Sequence, residues 1–265
     1  MMSKLYTTAA AALMLSACAH VSLPWHEKSA KPAAAVTARE VVADHPNMVV
    51  PMGGASSTIW REALKKPGTR IIVSTEARSL WLVRDTAILF KAPVAVGRSK
   101  RLVYKGKEYD FTTPVGKRKV TGKGTVPIWT PPEWHYFEIA VEKQVEPVFL
   151  KKNSRVVLSD STRIEVRKNQ VGRVNRYGNF WPFTPGKEII FDGKVFIPPV
   201  GTDQRRIPEV LGTHKLEMGN GYLIHGTNEE FSIGEAVSHG CIRMYNDDVA
   251  RLYALADLGT PIYIY

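Results

Sequence analysis

Arg70-Ile71-Ile72-Val73-Ser74 and Ser79-Leu80-Trp81-Leu82-Val83 are two apolar, β-branched runs separated by a polar turn. Runs of this length and composition read as paired strands. Working outward, Ala87 to Val96 is another apolar stretch, interrupted by Pro93 and ended by Gly97. Val156-Val157-Leu158, Ile164-Glu165-Val166, Glu188-Ile189-Ile190-Phe191, Lys194-Val195-Phe196-Ile197 and Tyr222-Leu223-Ile224 continue the pattern. Asp192-Gly193 between two of them is a hairpin turn signal. Many short strands with frequent Gly and Pro predict a mainly β domain, a β-sandwich or barrel-like fold, over residues 70–265. One helix is expected near the end. Asn246 is placed to cap it, Asp247 and Asp248 suit its positive end, and Val249, Leu252, Tyr253 and Leu255 form an apolar stripe. Gly259 stops it, and Ile262 to Tyr265 returns as a last strand.

Upstream the composition changes. The chain has 265 residues and a formal charge of +11. Lys4, a short apolar run from Ala9 to Leu15 and small residues up to Cys18 read as a secretory signal over residues 1–17, too short to span a bilayer. The ending Leu15-Ser16-Ala17-Cys18 predicts lipidation at Cys18, with several acyl chains giving lasting membrane attachment. The alternative is an ordinary cleaved signal with a chance cysteine. Residue 19 is Ala, not the Asp that resembles an inner-membrane retention signal. The expectation is therefore a periplasmic protein held by an N-terminal lipid anchor, with the outer membrane as its destination. Residues 18–69 read as a tether and lead-in, rich in Pro, Ala, Gly and Ser, with a short helix around Ala38 to Val42 and a helical turn at Ile59 to Lys65. The basic balance suits an anionic partner such as phospholipid or a carboxylate-bearing polymer, although basic charge also serves solubility alone.

With Cys18 assigned to the anchor, Cys241 is the only other cysteine. A lone thiol in an exported protein suggests a reactive sulfur. It lies in Ser238-His239-Gly240-Cys241-Ile242-Arg243-Met244. A cysteine nucleophile needs a base, oxyanion donors and a recognition site. His225, at the end of Gly221-Tyr222-Leu223-Ile224-His225, is the candidate base; His239 is the alternative. An imidazolium beside the sulfur would lower the thiol pKa. The carbonyl of Gly226 or the hydroxyl of Thr227 is placed to orient the ring. Backbone amides of His239, Gly240 and Cys241 are the candidate oxyanion donors, with Gly240 allowing a sharp turn. Arg243 offers a fork for a substrate carboxylate, or a partner for Asp247 or Asp248. Gly226, Thr227 and Ser238 complete the expected substrate-binding set. His214, His225, His239 and Cys241 are zinc-type ligands, but they lack metal-site spacing, so no metal is predicted. The histidine precedes the cysteine, which counts against papain-like peptidases.

Ile224-His225-Gly226-Thr227-Asn228, Ile233-Gly234 and Ser238-His239-Gly240-Cys241-Ile242-Arg243-Met244, followed by Asn246 and Asp248, resemble the catalytic motif of bacterial L,D-transpeptidases. Thr113-Pro114-Val115-Gly116 resembles a further element of that domain, and Trp129-Thr130-Pro131-Pro132-Glu133-Trp134 one of its Gram-negative branch. The resemblance implies a mostly β catalytic domain and acyl transfer on peptidoglycan stem peptides without a cofactor. Cys241 would attack the L-centre carbonyl of diaminopimelate and expel D-alanine, with His225 moving the proton. The acceptor would be a second diaminopimelate, a lysine of an outer-membrane anchor lipoprotein, or a D-amino acid. Water as acceptor would make an L,D-carboxypeptidase. Carbapenems would acylate Cys241. Nucleic acid is not an expected partner. A non-catalytic wall-binding lipoprotein is the contrasting reading. The segment at about 132–208, with Trp134, Tyr136, Phe180, Trp181 and Phe183, is a candidate cap over the substrate groove, its aromatics equally readable as core.

Overall fold

The computed structural model describes residues 54–265. The expected signal peptide, the lipidation site at Cys18 and the short helix at residues 38–42 lie outside them. Among the described residues the fold is mostly β with three short α-helices: α1 (Gly54–Lys65), α2 (Glu133–Glu142) and α3 (Asn246–Leu255). No helix among them is long and apolar enough to cross a membrane.

Two sheets carry the main body. The first has five strands, in the order Ala87–Pro93, Ser79–Arg84, Thr69–Ser74, Pro261–Ile264 and Gly116–Lys119. Its centre pairs the first strand in parallel with the last, so the ends of the domain close on one another. The second has four strands, in the order Ile242–Arg243, Leu223–His225, His214–Glu217 and Gly122–Thr125. The alternation expected of strands sorts the residues. Ile71, Val73, Leu80 and Leu82 face a core shared with Ile224 and Ile242 of the second sheet and with Val249 and Leu252 of α3. Ile72, Trp81 and Val83 point to the other face, where α1 lays Trp60 and Ala63 against Tyr263 and Tyr265. Trp60 meets Tyr265 edge-on, with centroids 5.6 Å apart. The helical turn expected at residues 59–65 is thus a longer helix, starting at Gly54. It packs as part of the body, because its indole and small Ala63 fit the outer face of the first sheet.

The segment at about 132–208 builds its own layers. Arg155–Val157, Arg163–Arg167, Gln170–Val174 and Phe180–Pro182 form one antiparallel sheet. Ile190–Phe191, Lys194–Ile197 and Glu146–Phe149 form another. Asp192 and Gly193 both adopt positive φ (50° and 67°), the backbone a two-residue hairpin turn requires. Arg205 is buried and donates to the carbonyls of Pro131 and Pro198 at 2.9 and 3.0 Å, tying the start of α2 to the end of the segment. Of the aromatics expected over the groove, Tyr136 is core, Trp181 is half exposed, and Trp134 reaches the Cys241 loop.

α3 corrects one expectation. Its N-cap is Tyr245, with no side-chain capping bond, and Asn246 is its first residue. The Asn246 amide works across the fold instead: Oδ1 accepts from the Thr213 amide at 3.0 Å, and Nδ2 donates to the Thr227 carbonyl at 3.0 Å.

Candidate active site

The second sheet brings the thiol and the imidazole together. Leu223–His225 runs parallel to Ile242–Arg243, with Ile224 opposite Ile242 and His225 opposite Arg243. One step back in register Cys241 stands opposite Leu223. In parallel strands, opposed residues share a face and alternate positions repeat it. Leu223, His225, Cys241 and Arg243 therefore look out on one side, away from Ile224 and Ile242 in the core. His225 is the diagonal neighbour of Cys241 across the pair.

His225 is buried, and its Nδ1 lies 2.5 Å from the Gly226 carbonyl. Burial is the main cause that lowers its pKa from 6.5 to about 4, with the Gly226 carbonyl opposing and Arg243 assisting. At neutral pH the ring is uncharged, Nδ1 carries the proton it donates to Gly226, and Nε2 keeps a free lone pair. The Gly226 carbonyl, rather than the Thr227 hydroxyl, therefore orients the ring. Cys241 is half-buried and a free thiol. Burial pushes its pKa above 9.0, against pulls from the Leu223 backbone and Arg243. The resting pair is thus a neutral thiol beside a neutral imidazole, not the thiolate–imidazolium expected from the sequence, because neither charge is solvated there.

The loop that carries the thiol is held by backbone bonding. Thr113, buried in the Thr113-Pro114-Val115-Gly116 element, accepts from the Gly97 amide at 2.7 Å and donates to the Gly240 carbonyl at 3.1 Å. Gly240 sits at φ +108°, where a Cβ would stand 2.7 Å from the Tyr222 ring. Ser238, buried, donates its hydroxyl proton to the Cys241 carbonyl at 2.5 Å and accepts from the Gly240 amide at 3.2 Å. Among the described residues the amides of His239 and Cys241 have no internal acceptor, so two of the three expected oxyanion donors stay free and Gly240's does not.

The residues expected to bind substrate divide. Gly226, Thr227 and Ser238 are buried, with their polar groups engaged inside the protein. A Cβ on Gly226 would lie 2.2 Å from Asn246 Oδ1, so the glycine is required for that staple. They shape the site rather than face it. Arg243 is partly exposed, and its partner is neither Asp247 nor Asp248. Its Nη1 holds the Glu229 carboxylate at 2.5 Å and reaches Ser232 Oγ at 3.4 Å. Its Nε and Nη2 have no internal partner among the described residues, which leaves one edge of the fork open.

His239 is held by α2. Its Nε2 lies 2.7 Å from the Glu138 carboxylate on α2, and its ring stacks on Trp134 at 4.1 Å. Burial, Arg98 and Arg243 hold its pKa down at about 3. The neutral ring donates Nε2–H to the Glu138 carboxylate, whose other oxygen pairs with Arg98. A neutral ring whose Nε2 is occupied is poorly placed as the base, which favours His225. Glu138 and the Thr113 hydroxyl are the groups that sequence reading did not select. Trp134 and Thr113 lay in recognisable motifs, whereas nothing in the sequence pointed to Glu138. No group of three or more His, Cys, Asp or Glu suited to a metal is present among the described residues.

The sequence has relatives among known proteins. A family model of the L,D-transpeptidase catalytic domain (YkuD) matches residues 68–264. The chain belongs to this family. A probable L,D-transpeptidase ErfK/SrfK of Salmonella typhimurium is 36% identical over 106 residues, covering 38% of this chain and 33% of the relative. A probable L,D-transpeptidase YbiS of Escherichia coli is 39% identical over 66 residues, 25% and 20% of the two chains. The chain thus spans a third or less of the length of these L,D-transpeptidase relatives. A crystal structure of the L,D-transpeptidase from Xylanimonas cellulosilytica matches 80% of this chain and 70% of its own, at 14% identity and a TM-score of 0.40.

Proposed function

We propose that this protein is a peptidoglycan L,D-transpeptidase in which Cys241 is the nucleophile and His225 the proton carrier. One observation carries the reading: Cys241 and His225 share a sheet face, and the Gly226 carbonyl accepts from Nδ1, which leaves Nε2 unprotonated. In the first half-reaction the Cys241 proton passes to His225 Nε2 as Sγ bonds to the L-centre carbonyl carbon of diaminopimelate in a tetrapeptide stem. The carbonyl oxygen becomes an oxyanion, and the free amides of His239 and Cys241 are its donors. Collapse re-forms the carbonyl and breaks the C–N bond to D-alanine, whose amine takes the proton from Nε2. The thioester then meets an acceptor amine. His225 takes that amine's proton, the new amide forms, and Sγ departs and regains the proton. The open edge of Arg243 receives a stem-peptide carboxylate.

The acceptor in this reading is an amine of a second stem, giving a 3–3 crosslink, or of a wall-attached protein. In this reading the domain works in the periplasm on a lipid anchor at Cys18, with residues 1–17 removed, and an outer-membrane anchor lipoprotein is one candidate acceptor. The test is to incubate the protein with diaminopimelate-containing muropeptides and follow products by mass spectrometry. New dimers with loss of D-alanine support transfer; tripeptide alone indicates the carboxypeptidase. No change with the wild-type protein overturns the enzymatic reading. Cys241→Ala must abolish any product.

A further inference from the structure

We infer that Glu138, on α2, is a positioning residue for the oxyanion side of the thiol loop, acting through His239. The inference rests on the reading of Cys241 as an acyl-accepting nucleophile, but Glu138 lies 103 positions before that cysteine, outside the loop's own hydrogen-bond scaffold.

Three contacts converge on the His239 ring, and Arg98 braces two of the groups that make them. Glu138 Oε2 accepts from Nε2 at 2.7 Å. Trp134, one turn earlier on α2, stacks on the ring at 4.1 Å with planes 20° apart. Phe111, beside the Thr113 element, meets the ring edge-on at 4.7 Å. Arg98 pairs with the other Glu138 oxygen, and its guanidinium lies over Phe111 at 4.7 Å. The backbone closes the circuit, because the Arg98 amide donates to the Ser238 carbonyl at 3.0 Å. The ring cannot turn without breaking a hydrogen bond to a carboxylate and a stacked contact.

The ring's own residue carries one of the two unengaged amides. Fixing the ring fixes the peptide plane of that amide, which must aim at where negative charge develops, not at the ground-state carbonyl. The plane, which that amide shares with the Ser238 carbonyl, is held on one side by the Arg98 amide, and Gly240, with positive φ and no side chain, adds no restraint from the other, so the clamp on the Arg98 and His239 side chains steadies it. Glu138 supplies the hold. The segment at about 132–208 is thereby linked to chemistry through one carboxylate, independently of any role as a cover.

The readout separates this from general loop damage. Alkylation of Cys241 by iodoacetamide displaces iodide at a saturated carbon and forms no oxyanion, whereas attack on a carbonyl does. The comparison uses the full protein, with Glu138→Ala and Glu138→Gln beside wild type. Three measurements are made: iodoacetamide alkylation, acylation of Cys241 by a carbapenem followed by mass spectrometry, and kcat and KM on the tetrapeptide stem. Glu138→Ala should slow both carbonyl reactions about tenfold or more through kcat, with KM and alkylation within about twofold. Glu138→Gln, which keeps the acceptor oxygen, should recover most of that loss. Equal losses in alkylation and acylation would mean that the loop had simply shifted, and no loss in either would mean that His239 is held without Glu138. Both results overturn the inference. Absent turnover by wild type, with acylation intact, counts against the proposed reaction alone.

Discussion

The neutral state of the Cys241–His225 pair makes a specific pH prediction. Moving the proton from Sγ to Nε2 means ionising a thiol whose pKa is above 9.0 and charging an imidazole whose pKa is about 4. At 1.36 kcal/mol per pH unit, the fall of the imidazole pKa from 6.5 to about 4 alone makes charging the ring about 3 kcal/mol harder than in water, and the raised thiol pKa adds to that cost. The neutral pair is therefore favoured, and little free thiolate is present at pH 7. The iodoacetamide alkylation rate should rise about tenfold per pH unit from pH 6 to beyond 9 without a plateau. His225→Gln should change that profile little, yet lower acyl transfer by about 10²- to 10⁴-fold, since the base acts only as the carbonyl is attacked. In kcat/KM the acid limb should fall near pH 4, where His225 becomes protonated in the free protein. An alkylation plateau with a midpoint below pH 7, lost in His225→Gln, would reveal a preformed ion pair and refute the argument.

Other consequences are open to measurement. His225 has a pKa lower in the folded protein than its unfolded value, so its contribution to stability is complete above about pH 6.5 and is lost as pH falls to about 4, to a total of about 3 kcal/mol. Urea midpoints across that window should show the loss, and His225→Gln should flatten it. Gly240→Ala, which would set a Cβ at 2.7 Å from Tyr222 in a positive-φ position, should cost about 1–3 kcal/mol by denaturation and remove most acyl transfer. Asn246→Ala removes the bonds to Thr213 and Thr227; kcat should fall more than helix content changes by circular dichroism, since α3 does not depend on this residue for its cap. Trp60→Ala should destabilise the domain by about 3–5 kcal/mol in thermal or urea unfolding, although α1 precedes the matched family region.

Much of this architecture was legible because its signals are local. The runs at residues 70–74 and 79–83 are strands as read, and Asp192-Gly193 makes the turn its composition dictates. The approach of Cys241 to His225 was legible too, since a short spacing and a strand end put them on adjoining elements. Where several long-range terms compete, local reading gave less. α2 was missed because Glu133-Trp134-His135-Tyr136-Phe137 follows two prolines and is rich in aromatics, neither a strong helix signal; tertiary burial of Tyr136, Phe137 and Ile139 makes it helical. Asn246 looked like a cap because Asn favours that role, but its amide satisfies two backbone groups 33 and 19 positions away instead. Glu138 carried no signal at all: a single carboxylate in an amphipathic helix is ordinary until the fold sets it against His239.

These features bear on what makes a lone cysteine useful. A sulfur held as a permanent thiolate would react with any oxidant or electrophile that reached it, with or without substrate. Here both partners are desolvated and neutral, so little thiolate exists before a carbonyl arrives. In the proposed reaction the rate must then come from groups that act only as charge develops: the neutral His225 as base and the amides without an internal acceptor among the described residues. That division explains where the hydrogen bonds around Cys241 have gone. Thr113 and Ser238 hold the loop's carbonyls, Asn246 holds the turn after His225, and the amides at His239 and Cys241 are left unspent. Selectivity for an acyl donor then follows from geometry more than from thiol acidity, because an electrophile that forms no oxyanion gains nothing from the loop.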